Sequence, residues 1–142
     1  MNHLFVALLF AAATASDCAL ASSCAKTVNL MYATGTSDIS ARGSAEILSG
    51  LSTARLVSAP IGGHITVLYG AVVSNSEEST PEKRHELADL RQASLRRFFD
   101  SANTSDLTFV LTIVDAKEQE RYAKQETTSF TEIVFLYSCA GT

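Results

Sequence analysis

Apolar positions alternate with polar ones in four short stretches of the chain and recur at helical spacing in two longer ones, strand and helix patterns taking turns. Thr27–Tyr32 (TVNLMY) predicts a first strand with Val28, Leu30 and Tyr32 on one face. After the turn chemistry of TGTSD, Ser40 is placed to cap a helix, with Ile39 as its hydrophobic staple. Ile47, Leu48, Leu51 and Ala54 form the apolar stripe of that helix. Gly43 and Gly50 each weaken it by about 1 kcal/mol relative to alanine, so its stability must come from packing. Pro60-Ile61-Gly62-Gly63 breaks the chain, and His64–Tyr69 (HITVLY) predicts a second strand, with Ile65, Val67 and Tyr69 on one side. Its apolar character on both faces implies a central place in a sheet.

Ala71–Ser79 reads as a polar loop. Thr80-Pro81-Glu82 then offers a helix start: a Thr cap, Pro at the first helical position and an acid in the first turn. The helix is expected to run to about Asp100, with Leu87, Leu90, Leu95 and Phe98 or Phe99 against the sheet and Arg91 set among them. Leu107–Val114 (LTFVLTIV) is the cleanest strand pattern, and Phe130–Ser138 (FTEIVFLYS) is the last. The charged stretch between them, Asp115–Ser129, is long for a hairpin and leaves room for a partial helix. The order β-α-β-α-β-β predicts an α/β (α+β) two-layer sandwich, in which two helices cover one face of a mixed four-stranded sheet. The β-α-β units should be parallel and the final pair antiparallel.

Composition narrows the function classes. The 142 residues suffice for one domain with a single core, and 46% hydrophobic with 18% charged content is ordinary for a folded protein. A net charge of -4 gives no footing to nucleic-acid binding. Lys83, Arg84, Arg91, Arg96 and Arg97 cluster, but Glu82, Glu86 and Asp89 are interleaved, the pattern of a solvated helix face. His3, His64 and His85 do not form a metal-ligand set, and no nucleophile, phosphate-loop or zinc-protease motif is present. No catalytic residues, cofactor or metal are therefore expected.

Residues 1–21, MNHLFVALLFAAATASDCALA, read as a secretory signal peptide. An apolar run from Leu4 to Ala15 is followed by the small-x-small site Ala19-Leu20-Ala21, although the leading segment lacks Lys and Arg. Residues 22–142 would form the single mature domain, with no later stretch long enough to span a membrane. Cleavage after Ala21 removes Cys18 and leaves Cys24 and Cys139, an even pair that suggests a disulfide in an oxidising compartment. Leu20-Ala21-Ser22-Ser23-Cys24 is also loosely like a lipoprotein site, and a lipidated Cys24 could not pair.

The element order and the second helix together resemble the OmpA-like periplasmic domain family over roughly residues 27–138. Leu87-Ala88-Asp89-Leu90-Arg91-Gln92-Ala93-Ser94-Leu95-Arg96-Arg97-Phe98-Phe99 keeps the leucine, the arginine, the apolar residue four positions after it and the terminal bulky residue of the family helix. Ile65–Gly70 is similar to the strand before the family's Gly-x-Thr-Asp, and Thr36-Ser37-Asp38-Ile39 to the approach to its first helix. The resemblance implies that Arg91 holds a carboxylate of peptidoglycan diaminopimelate, for which a guanidinium fork is suited. The family's aspartate, which holds the ammonium end, is missing: Gly70-Ala71-Val72-Val73 stands there. The family's Asn-Arg-Arg-Val is replaced by Phe130-Thr131-Glu132-Ile133. A charged hydrogen bond contributes about 1.5–3 kcal/mol, so this loss alone weakens such a ligand roughly tenfold or more. Glu77 and Glu78 on the long loop are the carboxylates able to substitute.

The expected function is thus an exported envelope module that binds protein partners, within an envelope or secretion complex, through the Ala71–Ser79 loop or the Asp115–Ser129 connection. Peptidoglycan binding through Arg91 is the second reading and a small periplasmic enzyme the third. The family topology also makes the first and last strands antiparallel neighbours, which would bring Cys24 and Cys139 to one end of the sheet.

Overall fold

The computed structural model describes residues 22–102, 104–111, 116–125 and 128–140; the expected signal peptide lies outside them. In chain order come β1 (Ser22–Leu30), α1 (Ala41–Ser58), a 3-10 turn (Ala59–Ile61), β2 (Ile65–Val72), α2 (Pro81–Asp100), β3 (Leu107–Leu111), α3 (Ala116–Gln125) and β4 (Phe130–Cys139). The four strands form one mixed sheet in the order β1-β4-β2-β3. β4 runs antiparallel to both β1 and β2, and β3 is parallel to β2.

The mixed sheet and the parallel sense of the β-α-β units follow the pattern of the sequence. The last two strands are not neighbours, however. β4 fills the slot between β1 and β2, where a strand that is apolar on both faces is covered on both. The charged connection supplies the reach, and α3 within it is a third helix. β1 begins at Ser22 rather than Thr27, because its pairing with β4 continues to Ser22 opposite Cys139, beyond the apolar alternation. Met31 and Tyr32 fall outside the strand, and β2 continues through Val72 into what reads as loop.

α1 and α2 cover one face of the sheet. Ile47 and Leu51 of α1, and Leu95 and Phe99 of α2, are buried against Val67 and Phe135 of the central strands. On the opposite face, Tyr122 of α3 packs with Leu68, Val72, Phe130 and Val134. Two leucines expected in the core are exposed instead, Leu48 at 50% and Leu90 at 47%. Each follows or precedes an inward residue by one position, and one residue is about 100° of helical rotation. At Gly50 the helix comes so close to the sheet that an added Cβ would lie 2.9 Å from both Phe135 and Val28. Gly62 ends the 3-10 turn with a left-handed φ of 68°.

Ser40 caps α1 as expected, accepting the Gly43 N–H at 3.0 Å. Thr80 does not cap α2 with its side chain; the Glu78 carboxylate takes the Thr80 N–H instead, at 3.1 Å. Cys24 and Cys139 are joined by a disulfide, with Cα atoms 5.8 Å apart. They lie within β1 and at the end of β4, diagonal neighbours across the ladder. Among the described residues, no helix is long and apolar enough to cross a membrane.

Candidate functional site

The inward stripe of α2 is Arg84, Ala88, Arg91, Leu95 and Phe99, a spacing that keeps all five on one side of the helix. Leu95 and Phe99 enter the main core, and Ala88 packs against Ala71 and Val73 at the end of β2. Where the sheet gives out, two arginines replace apolar residues. Both are buried, Arg91 with no accessible surface at all. The basic residues of α2 are therefore not one solvated face: Arg96 and Arg97 are exposed, whereas Arg84 and Arg91 turn inward because they share the phase of Leu95.

A buried guanidinium needs partners for its N–H groups and its charge. Arg91 finds them on two loops. Its Nη1 donates to Glu77 Oε2 at 3.0 Å and its Nη2 to Oε1 at 2.5 Å, a two-pronged ion pair. Its Nε donates to the carbonyl of Thr36 at 2.9 Å. The Tyr32 ring lies 4.6 Å from the guanidinium carbon and adds a cation–π contact. Glu77 Oε1 also accepts the N–H of Gly35, at 2.8 Å, from a turn where Gly35 takes a left-handed φ of 70°. Burial pushes the Glu77 carboxyl up. Hydrogen bonds from Arg91, Ser129 and the Gly35 N–H, with the Arg91 charge, outweigh this and hold it below its ordinary value.

Hydroxyls surround this pair. Thr34, Ser74, Ser76, Thr128 and Ser129 line a cavity of about 200 Å³ beside Glu77. The Ser129 hydroxyl accepts the Ser74 N–H at 2.8 Å, and the Ser74 and Ser76 hydroxyls are 2.8 Å apart. Tyr32 Oη and Thr131 Oγ1 are two further buried hydroxyl oxygens nearby. Burial pushes the Tyr32 phenol up, opposed by the Thr131 hydroxyl and the charge of Arg91.

Arg84, two turns earlier, holds the next residue of the same loop. Its Nη1 donates to the carbonyl of Glu78 at 2.7 Å, and its Nη2 bonds both oxygens of Glu120 on α3 at 2.7 Å. The Arg84 hydrogen bonds hold the Glu120 carboxyl below its ordinary value. Gln119 of α3 donates to the carbonyl of Val73 at 3.1 Å, and Asn75 donates its N–H to the carbonyl of Ala123. The two inward arginines thus fasten the loop to α2, and α3 closes over the end of β2.

Of the carboxylates named from the sequence, Glu77 meets Arg91 and Glu78 does not. Sequence reasoning left out Tyr32, Thr36, Arg84 and Glu120. A signal for Arg84 existed in its seven-residue spacing from Arg91. Glu132 interrupts the apolar run of β4; it is 3% exposed, and burial pushes its carboxyl up to about 7. No cluster of three His, Cys, Asp or Glu that could hold a metal occurs among the described residues. His64 instead bonds Thr108, and His85 bonds the carbonyl of Pro81. No protein-family model matches the chain, and no curated protein matches it in sequence.

Proposed function

We propose that the mature chain is an exported, non-catalytic binding module of the cell envelope, of OmpA-like descent, whose wall-ligand arginine has become part of the internal structure. One observation carries this reading. Arg91 is buried, its Nη1 and Nη2 both donate to Glu77 and its Nε to Thr36, so a ligand carboxylate finds the fork already occupied. Glu77 takes both prongs of the guanidinium, the fork that the resemblance would give to a diaminopimelate carboxylate. The disulfide supports an oxidising compartment outside the cytoplasm. Partner binding through exposed surface then remains as the function.

A second reading, peptidoglycan binding, is favoured by the hydroxyl-lined cavity beside Glu77, where a ligand could enter after displacing that side chain. Co-sedimentation with purified peptidoglycan separates the two. The assembly reading expects the protein to stay in the supernatant. Pelleting that is lost in Arg91→Ala, with the variant still folded, would establish wall binding and overturn it.

A further inference from the structure

β1 is an edge strand, with β4 as its one strand neighbour among the described residues. One row of its backbone N–H and C=O groups is therefore free of strand pairing. Beside it runs a groove of about 450 Å³, floored by the consecutive residues Lys26–Asn29 and walled by Arg42, Ala45, Glu46 and Ser49 of α1. A second depression of about 250 Å³ shares Asn29, Arg42 and Glu46 and continues past Ser40 to the exposed Met31. Ala45 and Ser49 are small and exposed, which keeps the groove open along the helix.

The charge of the groove selects its occupant. Lys26 is exposed and makes no ion pair among the described residues. Among the described residues Arg42 pairs with Glu46 on its own helix, at 2.9 Å, and its side chain is 90% exposed, so it can turn to another carboxylate. No acid stands in the first turn of α1, where the Ser40 cap and Asp38 before it are the polar groups at the positive end of that helix. Lys26, Arg42 and Glu46 leave the lining with a net charge of +1, on a chain of net charge -4. The disulfide holds the β1 edge to β4 in advance, which lowers the ordering cost of adding a strand.

We infer that β1 and α1 form a docking groove for an acidic, extended segment of a partner protein, which adds to the sheet as a fifth strand beside β1. From Lys26 to Met31 the groove accommodates about six residues at ~3.3 Å each. Main-chain bonds to β1 supply affinity, and Lys26 and Arg42 select acidic side chains at alternate positions. The inference rests on the binding-module reading, but its probe is a peptide and not the wall, so each can fail without the other.

The test uses the disulfide-bonded mature chain and three fluorescent hexapeptides: Glu-Val-Asp-Val-Glu-Val, the same peptide with Lys at the acidic positions, and an acidic version N-methylated at alternate residues. Anisotropy should show the acidic peptide binding about tenfold or more tighter than the other two. Lys26→Glu should weaken it about tenfold, and Ser49→Tyr, at an exposed helix position, should block it. Amide exchange in β1 should slow when the acidic peptide is bound. Equal binding of the acidic and lysine peptides, no binding of either, or binding without slowed exchange in β1 would overturn the inference. So would slowed β1 exchange that depends on protein concentration alone, which would make the occupant a second copy of the chain.

Discussion

Glu77 reaches Arg91 across fourteen residues of sequence and takes both prongs of its guanidinium inside the protein. A buried pair of this kind contributes little over a well-packed apolar pair, but breaking it strands a charge. Arg91→Ala is therefore expected to destabilise the fold by about 3–5 kcal/mol, by urea denaturation. The double replacement Arg91→Met with Glu77→Met should recover much of that loss. The pair also titrates: Glu77 is held below its ordinary carboxylate value, so its contribution is complete above about pH 4.5 and is lost as pH falls through the folded value. Arg91→Ala with unchanged stability would mean that the arginine is not structural.

Arg84 joins α2, the carbonyl of Glu78 and Glu120 of α3, and its side chain is 3% exposed. Arg84→Leu should preserve packing while releasing α3 from the end of β2. Exchange of the α3 amides and of Asn75, whose N–H bonds the Ala123 carbonyl, should accelerate more than that of β4. Uniform acceleration across the sheet would show instead that Arg84 contributes to global stability and not to a local hinge.

Glu132 has the opposite sign from Glu77. Its carboxyl is raised by burial to about 7 from 4.5, so the folded chain holds a proton that the unfolded chain releases. Stability from this group is present below pH 4.5 and falls as pH rises to about 7. The difference is about 3 kcal/mol at most. Glu132→Gln should raise the melting temperature clearly at pH 8 and hardly at pH 5. An equal gain at both pH values would place the carboxyl in a more polar environment than its burial indicates.

The elements were legible because strand and helix periods are local: the alternation in Leu107–Leu111 and the Ser40 cap need no tertiary knowledge. The periodicity alone did not place β4: the resemblance put it antiparallel beside β1, as it is, but the pattern paired it with β3, whereas its other neighbour is β2. The phase of α2 was legible only in part. The leucines of LADLRQASLRRFF suggest an apolar stripe through Leu90, yet Arg84, Ala88 and Arg91 share the phase of Leu95 and Phe99. Arg91 could be singled out by its setting among leucines. Its partner could not, because Glu77 and Glu78 are adjacent, and only the folded loop decides which one turns inward.

Cys24 and Cys139, 115 residues apart, tie the edge strand β1 to β4. Non-reducing mass spectrometry of the mature chain should find this link; two free thiols, or a lipid on Cys24, would contradict it. Closing so long a loop contributes up to about 5 kcal/mol by the chain-entropy model, less any residual structure in the unfolded chain. Cys24→Ser with Cys139→Ser should lower stability by several kcal/mol without changing the order of the strands. The loss should show first in β1, which among the described residues has β4 alone as a strand neighbour, so its amides should exchange earlier than those of β2. If β1 and β2 lose protection together, the bond acts on the unfolded chain alone and the edge needs no pin.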